Sequence, residues 1–342
     1  MFHALLLASL LAEAWSAPPT TTVVTVPVTF ENAGATLRGT FYVPQSTGKV
    51  PAVVVFHGAS EPLTSTPLYK HLAEGLPQLG IAVLLFDRRG TGTSSGAKDV
   101  SYETLADDGI AGARAIRALA QIDPARVGYW GISQGGWLAT MAAVRDPDAA
   151  FAVAVSAPLV TPEVQMEFAM SNRLHALGYS QSDVAAMLNA RALWTGYLRG
   201  TNSRDAAVAA IGAIEKRPWF ELMYMPTAEA LTRDPATSTW RVQMDDDPMT
   251  WVRRVRIPMF FILGAADPWI PVQASAARLA EISKAQPSIG YVVVPNANHL
   301  MMFPPAHETM NDADPAQVAN EEPESPAYFF LLSSWLKGVA LR

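Results

Sequence analysis

Short apolar runs divide the chain into a regular series. Val23–Phe30 and Leu37–Val43 are rich in β-formers and are joined by Glu31-Asn32-Ala33-Gly34, which predicts an antiparallel hairpin. Ala52–Phe56, Ile81–Phe86, Val127–Trp130 and Phe151–Val155 are continuous apolar runs bounded by turn residues, the pattern of strands buried on both faces. Helical spacing fills the gaps, at Pro67–Leu79, Tyr102–Leu119 and Trp137–Val144. In the second of these, Ile110, Ile116 and Leu119 fall on one repeating face. Alternation of strand and helix predicts a parallel, doubly wound sheet. From Pro158 to Trp251 the strand pattern stops, and helical stretches alternate with proline and glycine breaks. The earlier rhythm then returns: strand Pro258–Leu263, helix Val272–Ile282, strand Gly290–Val294 and a closing helix Tyr328–Val339. The expected architecture is α/β, a mostly parallel eight-stranded sheet with helices on both faces. Residues 18–157 and 252–342 form its two parts, and residues 158–251 form a helical cap inserted between them.

One stretch, Gly128-Tyr-Trp-Gly-Ile-Ser-Gln-Gly-Gly-Trp-Leu-Ala139, sits at a strand-to-helix junction. Gly131, Ser133 and Gly135 fit G-x-S-x-G, in which a tight turn lifts a serine hydroxyl above the sheet edge. The small flanking residues let neighbouring backbone approach, and the helix that follows offers its first amides to developing negative charge. A glycine-rich turn with an incidental serine is the plainer reading; the strand before it and the helix after it speak against that.

A serine hydroxyl needs a base within hydrogen-bond reach and a third group to orient that base. Of the six histidines, His299 follows the strand Gly290–Val294, and Asp267 follows the strand Pro258–Leu263. Both therefore belong at strand ends, where parallel folds place their active-site groups. Ser133, Asp267 and His299 form the expected nucleophile, orienting acid and base. His307 is a rival base in a Pro-rich loop. Asp87 is a rival acid, but it precedes the serine and is read as structural. Asp267 could instead serve only as an Asp-Pro turn residue. His71 and His175 lie in helical patterns. A tetrahedral intermediate also needs amide donors. The N–H of Gln134 is one, and the loop at Gly58-Ala59 is expected to supply the other, with Ala59 the best donor. His57 ends its strand and is read as shaping that loop, with a place near substrate.

The His57-Gly58 pair, Asp87-Arg88-Arg89-Gly90-Thr91-Gly92-Thr93-Ser94, Gly131-Ile132-Ser133-Gln134-Gly135-Gly136, Asp267 and Asn298-His299 resemble the α/β-hydrolase superfamily. Within it the chain resembles secreted or periplasmic esterases related to the serine aminopeptidase and dienelactone-hydrolase-like groups. The resemblance covers roughly residues 23–157 and 252–340 and implies the Ser-Asp-His chain order given above. Dehalogenases and dienelactone hydrolases of this fold use an Asp or Cys nucleophile, and Ser133 argues against both. It implies hydrolysis of a small-molecule ester or acyl substrate without a cofactor; amide, peptide and thioester substrates use the same machinery. It also implies a cap over the active site. Trp194, Trp219 and Tyr224 are expected to help line an acyl-binding wall there, unless they pack the cap's own core. Asp245-Asp246-Asp247 reads as a solvated turn, or as an anchor for a substrate amine.

Composition narrows the alternatives. The 342 residues carry a formal net charge of −6 and no long basic stripe, which speaks against a nucleic-acid groove. There is no cysteine, so thiolate catalysis and cysteine-ligated metal sites are excluded. Gly90-Thr91-Gly92 lacks the spacing of a dinucleotide fingerprint. A catalytically silent, ligand-binding hydrolase fold is the remaining competitor. Ala4–Ala12 is an apolar run of signal-peptide length, followed by small residues at cleavage spacing, though no Lys or Arg precedes it. Residues 1–17 are accordingly expected to be a signal peptide directing export to the periplasm or beyond; a disordered or packed segment in a cytoplasmic protein is the alternative. No segment reads as a stable membrane span.

Overall fold

The computed structural model describes residues 21–59, 64–303 and 322–341. The expected signal segment 1–17 and the rival base His307 lie outside the described residues, as does most of the acidic, Pro-containing stretch from Asp312.

Eight strands form one sheet: β1 (Val23–Asn32), β2 (Ala35–Pro44), β3 (Val50–Phe56), β4 (Ala82–Phe86), β5 (Ile122–Ile132), β6 (Ala152–Val155), β7 (Met259–Gly264) and β8 (Ile289–Val294). Their spatial order is β1-β2-β4-β3-β5-β6-β7-β8. The β1–β2 and β2–β4 pairs are antiparallel and every other pair is parallel. The hairpin turns through Ala33 and Gly34, both at positive φ (45° and 74°), which lets two residues reverse the chain. Every residue of β3, β4, β6 and β7 is buried, as the continuous apolar runs require.

Helices α1 (Lys70–Gln78) and α10 (Pro326–Ala340) cover one face of the sheet; α2 (Tyr102–Arg117), α3 (Gln134–Arg145) and α9 (Val272–Ala285) cover the other. Two apolar layers result. One includes Phe56, Tyr129, Leu138 and Phe261, the other Val55, Trp130, Phe151 and Leu332. His71 joins α1 to α10: its Nδ1 donates to Leu68 O (2.8 Å) and its Nε2 meets Tyr328 Oη (2.8 Å).

Between β6 and β7 the chain forms α4 (Pro162–Ala176), α5 (Gln181–Arg199), α6 (Arg204–Gly212), α7 (Thr239–Gln243) and α8 (Met249–Val252). The first three and α7 enclose an apolar cluster of their own that includes Met170, Met187, Trp194, Trp219 and Met244. The Glu163–Arg191 ion pair lies inside it, bidentate at 2.9 Å on both arms. The Arg191 guanidinium also lies 5.5 Å from the Trp194 ring and 5.6 Å from the Trp240 ring.

Candidate active site

β5 ends in a sharp turn. Ser133 has φ 54° and ψ −123°, a region that side-chain-bearing residues avoid. The surrounding structure holds it there: Ser133 N–H donates to Val155 O (2.9 Å) on the neighbouring strand, and Gly136 N–H returns to Ser133 O (2.9 Å). The flanking glycines are sterically required. A Cβ at Gly131 would run into the Gly135 carbonyl, one at Gly135 into the Phe56 and His57 carbonyls, and one at Gly136 would lie 2.6 Å from Ala157 Cβ. The turn therefore packs against β3 and β6 at backbone distance. Gln134 opens α3, where N–H groups have no partner within the helix.

Asp267 follows β7 and His299 follows β8, so both stand at the same sheet edge as Ser133. His299 Nδ1 meets Asp267 Oδ2 at 2.8 Å. The other carboxylate oxygen accepts from Trp269 N–H (2.8 Å) and Ile270 N–H (3.2 Å). Asp267 is thus turn residue and imidazole partner at once, with its side chain fully buried. A proton on Nδ1 facing the carboxylate leaves Nε2 as the acceptor nitrogen of the neutral ring. Asn298 fixes the histidine loop: its Oδ1 accepts from Leu300 and Met302 N–H (both 3.0 Å), and its own N–H donates to Met302 O (2.9 Å). Cap helix α4 reaches the acid loop through Gln165 Nε2 to Trp269 O and Asn172 Nδ2 to Pro268 O, both 2.9 Å.

Several expectations are corrected. Gly58 N–H donates to the buried Tyr69 hydroxyl (2.9 Å), so it is already engaged. His57 is buried and is no substrate contact: Nε2 donates to Phe86 O (2.6 Å) and the ring stands edge-on to Tyr69. Trp194 and Trp219 line no substrate wall, because both are buried in the cap's own core. Trp194 stacks on Trp240, and Trp219 Nε1 donates to Asp183 (3.2 Å). Tyr224 is 52% exposed, in a left-handed conformation, outside the cap's apolar cluster. Asp245 pairs with Arg199 and Asp247 with Arg278, so these two carboxylates are neutralised within the cap and its base. Burial, aided by Glu103 and Asp245, pushes the Asp246 carboxyl above its ordinary value. Asp246 stands at a pocket beside α3 lined by Tyr102, Trp137, Met141, Leu159 and Trp251, which contains none of Ser133, Asp267 and His299.

Asp87 is structural. Burial acts to raise its pKa, but hydrogen bonds from Thr64 and Thr93, two from each residue, outweigh it and hold the carboxyl below the usual range. His175 meets Gln181 on the surface of the cap. Sequence reasoning missed Tyr69, Arg88 and Trp269 as parts of the site's frame. The Asp87-Arg88-Arg89 run marked the second of them only as part of a motif. Among the described residues no group of three His, Asp or Glu side chains could hold a metal ion, and no helix is long and apolar enough to cross a membrane.

The sheet order and the strand-turn-helix at Ser133 define an α/β-hydrolase. The chain belongs to the alpha/beta hydrolase family, whose model matches residues 53–319. It is similar to an uncharacterised Mycobacterium tuberculosis protein, 37% identical over 34% of this chain and 40% of the relative. It is also similar to thiohydrolase apmlB of Arthrinium phaeospermum, 32% identical over 36% of this chain and 39% of the relative. Those two matches span about two fifths of the relatives' length. Esterase EstD of Thermotoga maritima is 26% identical over 81% of this chain and 61% of its own. Among solved structures, an esterase from Pyrococcus furiosus superposes with a TM-score of 0.60, covering 93% of this chain and 92% of that one at 15% identity, a likeness of fold. The chain thus has the fold and family of the α/β-hydrolases, and its named neighbours include esterases.

Proposed function

We propose that this hydrolase cleaves carboxylic esters through an acyl-enzyme, with Ser133 as nucleophile, His299 as base and Asp267 as the acid that orients it. The observation that carries the reading is the 2.8 Å His299–Asp267 hydrogen bond at the same sheet edge as the strained Ser133 turn. Ser133 Oγ attacks the ester carbonyl as His299 Nε2 takes its proton. The tetrahedral oxyanion is received by the N–H groups of Gln134 and Ala59. The intermediate collapses, His299 protonates the leaving alcohol, and the acyl group remains on Ser133. Water, deprotonated by the same imidazole, attacks the acyl-enzyme and releases the acid. Asp267 keeps the ring in the required tautomer and stabilises the imidazolium that forms.

A thioester is the second reading, favoured by the thiohydrolase relative, because a thiolate leaves the same tetrahedral intermediate. The test is initial rates on p-nitrophenyl esters of graded acyl length, an acyl thioester and an aminoacyl p-nitroanilide, with Ser133→Ala alongside. Ester turnover that vanishes in the variant supports the proposal. Preference for the thioester moves the function to thiol release, and preference for the anilide moves it to peptidase chemistry. Rates unchanged by Ser133→Ala would sink the assignment of the nucleophile.

A further inference from the structure

Immediately beyond β4, Arg88 turns back over the loop that follows β3. One guanidinium nitrogen, Nη2, donates to both His57 O (3.0 Å) and Gly58 O (3.1 Å). The second carbonyl is the informative one. Gly58 C=O and Ala59 N–H belong to one peptide unit, which is planar and trans, so the two groups point in opposite directions. A cation fixed on the carbonyl side therefore aims the Ala59 N–H away from itself. It also polarises the peptide, making that N–H a stronger donor.

The neighbouring groups remove the freedom that would let this peptide rotate. Tyr69 Oη holds the Gly58 N–H at 2.9 Å, and His57 Nε2 is tied to Phe86 O at 2.6 Å. Asp87 anchors the turn from which Arg88 projects, accepting from Thr93 N–H and Oγ1 (both 2.9 Å). The same carboxylate accepts from Thr64 N–H (2.9 Å), where the chain returns from the oxyanion loop. Ala59 itself is exposed.

We infer that Arg88 is a positioning residue for the oxyanion hole: its guanidinium sets the orientation of the Gly58–Ala59 peptide and so aims the Ala59 N–H at the developing oxyanion. This rests on the serine-hydrolase reading, in which the Ala59 N–H receives that charge. Nη2 alone bridges the two successive carbonyls, so a lysine ammonium, which has the charge and three donors but not the planar guanidinium, should hold them only in part. The benefit is confined to the transition state, because a ground-state carbonyl carries little negative charge.

The test compares wild type with Arg88→Gln, Arg88→Lys and Arg88→Ala on the best p-nitrophenyl ester, with thermal midpoints to show that each variant folds. Removing an oxyanion donor costs about 10²–10³ in kcat, and a misaimed donor costs less, so Arg88→Gln should lose roughly 10–100-fold in kcat with KM nearly unchanged. Affinity for a trifluoromethyl ketone, which forms a tetrahedral oxyanion on the serine, should fall by the same factor. Arg88→Lys should keep part of the rate, and methylguanidinium added to Arg88→Ala should restore part of it. A folded Arg88→Gln enzyme with wild-type kcat and ketone affinity would overturn the inference, as would a loss confined to KM. If wild type neither turns over esters nor reacts with a fluorophosphonate, the hydrolase reading fails first, and that result is separate from any effect of Arg88.

Discussion

The Ser133 turn makes a measurable demand on stability. At φ 54° and ψ −123° a Cβ is held in a region that costs about 1–3 kcal/mol for any residue except glycine. Ser133→Ala keeps that Cβ and removes the hydroxyl proposed as nucleophile, whereas Ser133→Gly removes both. Glycine adds freedom to the unfolded chain, a cost of about 0.4–1 kcal/mol. The serine side chain makes no capping hydrogen bond to α3, so neither variant loses a cap. The Ser133 N–H bond to Val155 O is available to both. The difference leaves Ser133→Gly more stable than Ser133→Ala by about 1 kcal/mol, although a glycine exchange normally destabilises by about 0.5–1 kcal/mol. Urea titrations of the two variants would measure it directly. At an m-value of about 3 kcal/mol/M, the midpoint should rise by about 0.3 M in the glycine variant. A midpoint lower in Ser133→Gly than in Ser133→Ala would refute the strained turn.

Three further outcomes are expected. Burial holds the His71 pKa down to about 3 against an ordinary 6.5, with its Leu68 hydrogen bond acting the other way. Unfolded chains therefore bind the proton first: stability from this group is complete above pH 6.5 and is lost towards pH 3, at up to about 1.4 kcal/mol per pH unit. His71→Gln should show a shallower fall in urea midpoint between pH 6.5 and 4, and an unchanged slope would count against it. Gly135→Ala drives a Cβ into backbone carbonyls that cannot yield, so activity should vanish and stability should drop by about 1–3 kcal/mol or more; a variant with wild-type melting and rate would show that the loop gives way. Arg191→Met strands Glu163, whose carboxyl burial already pushes up, and should destabilise the cap by about 3–5 kcal/mol; adding Glu163→Gln should recover much of that, read as resistance to limited proteolysis between residues 160 and 250.

The strands were legible because parallel strands buried on both faces leave unbroken apolar runs, as in β3 and β4. Boundaries moved where polar turn residues sit inside an element. β5 begins at Ile122, five residues before the expected start, because Ile122 pairs with Val50 and Asp123-Pro124-Ala125-Arg126 bulge out before Val127 pairs with Ala52. Helix α3 begins at Gln134 and not at Trp137: Gly135 and Gly136 look like breakers, yet their lack of Cβ is what lets the helix start against β3 and β6. Asp267 and His299 could be picked out because each follows a strand. Nothing in the spacing reveals that Tyr69 occupies the Gly58 N–H or that Arg88 holds the Gly58 carbonyl, since both contacts arise only when distant segments meet. The cap aromatics were misjudged for a related reason. Composition cannot distinguish a pocket wall from a core, whereas the packing of Trp194, Trp240 and Arg191 against one another does.

Around the Ser133 turn, which backbone hydrogen bonds hold, the neighbouring loops share a device. Four loops at the reacting edge are each pinned by a polar side chain that bonds loop backbone: Arg88 on the loop after β3, Asp87 after β4, Asp267 after β7 and Asn298 after β8. Such loops lack the hydrogen-bond ladder of a sheet, so their backbone groups need partners from elsewhere. On the proposed function, supplying those partners from side chains would leave selected N–H groups for the oxyanion. Oxyanion stabilisation depends on that arrangement, because donors that must reorient during the reaction lose most of their advantage. Helix α4 holds the acid loop through amide contacts to the Pro268 and Trp269 carbonyls and through the Arg173 guanidinium, 5.9 Å from the Trp269 ring, which itself packs against the cap's cluster. On the proposed ester-cleaving reading, the core loops would set the reacting groups, and the cap, packed on the Trp269 loop, would bear on which acyl groups reach them.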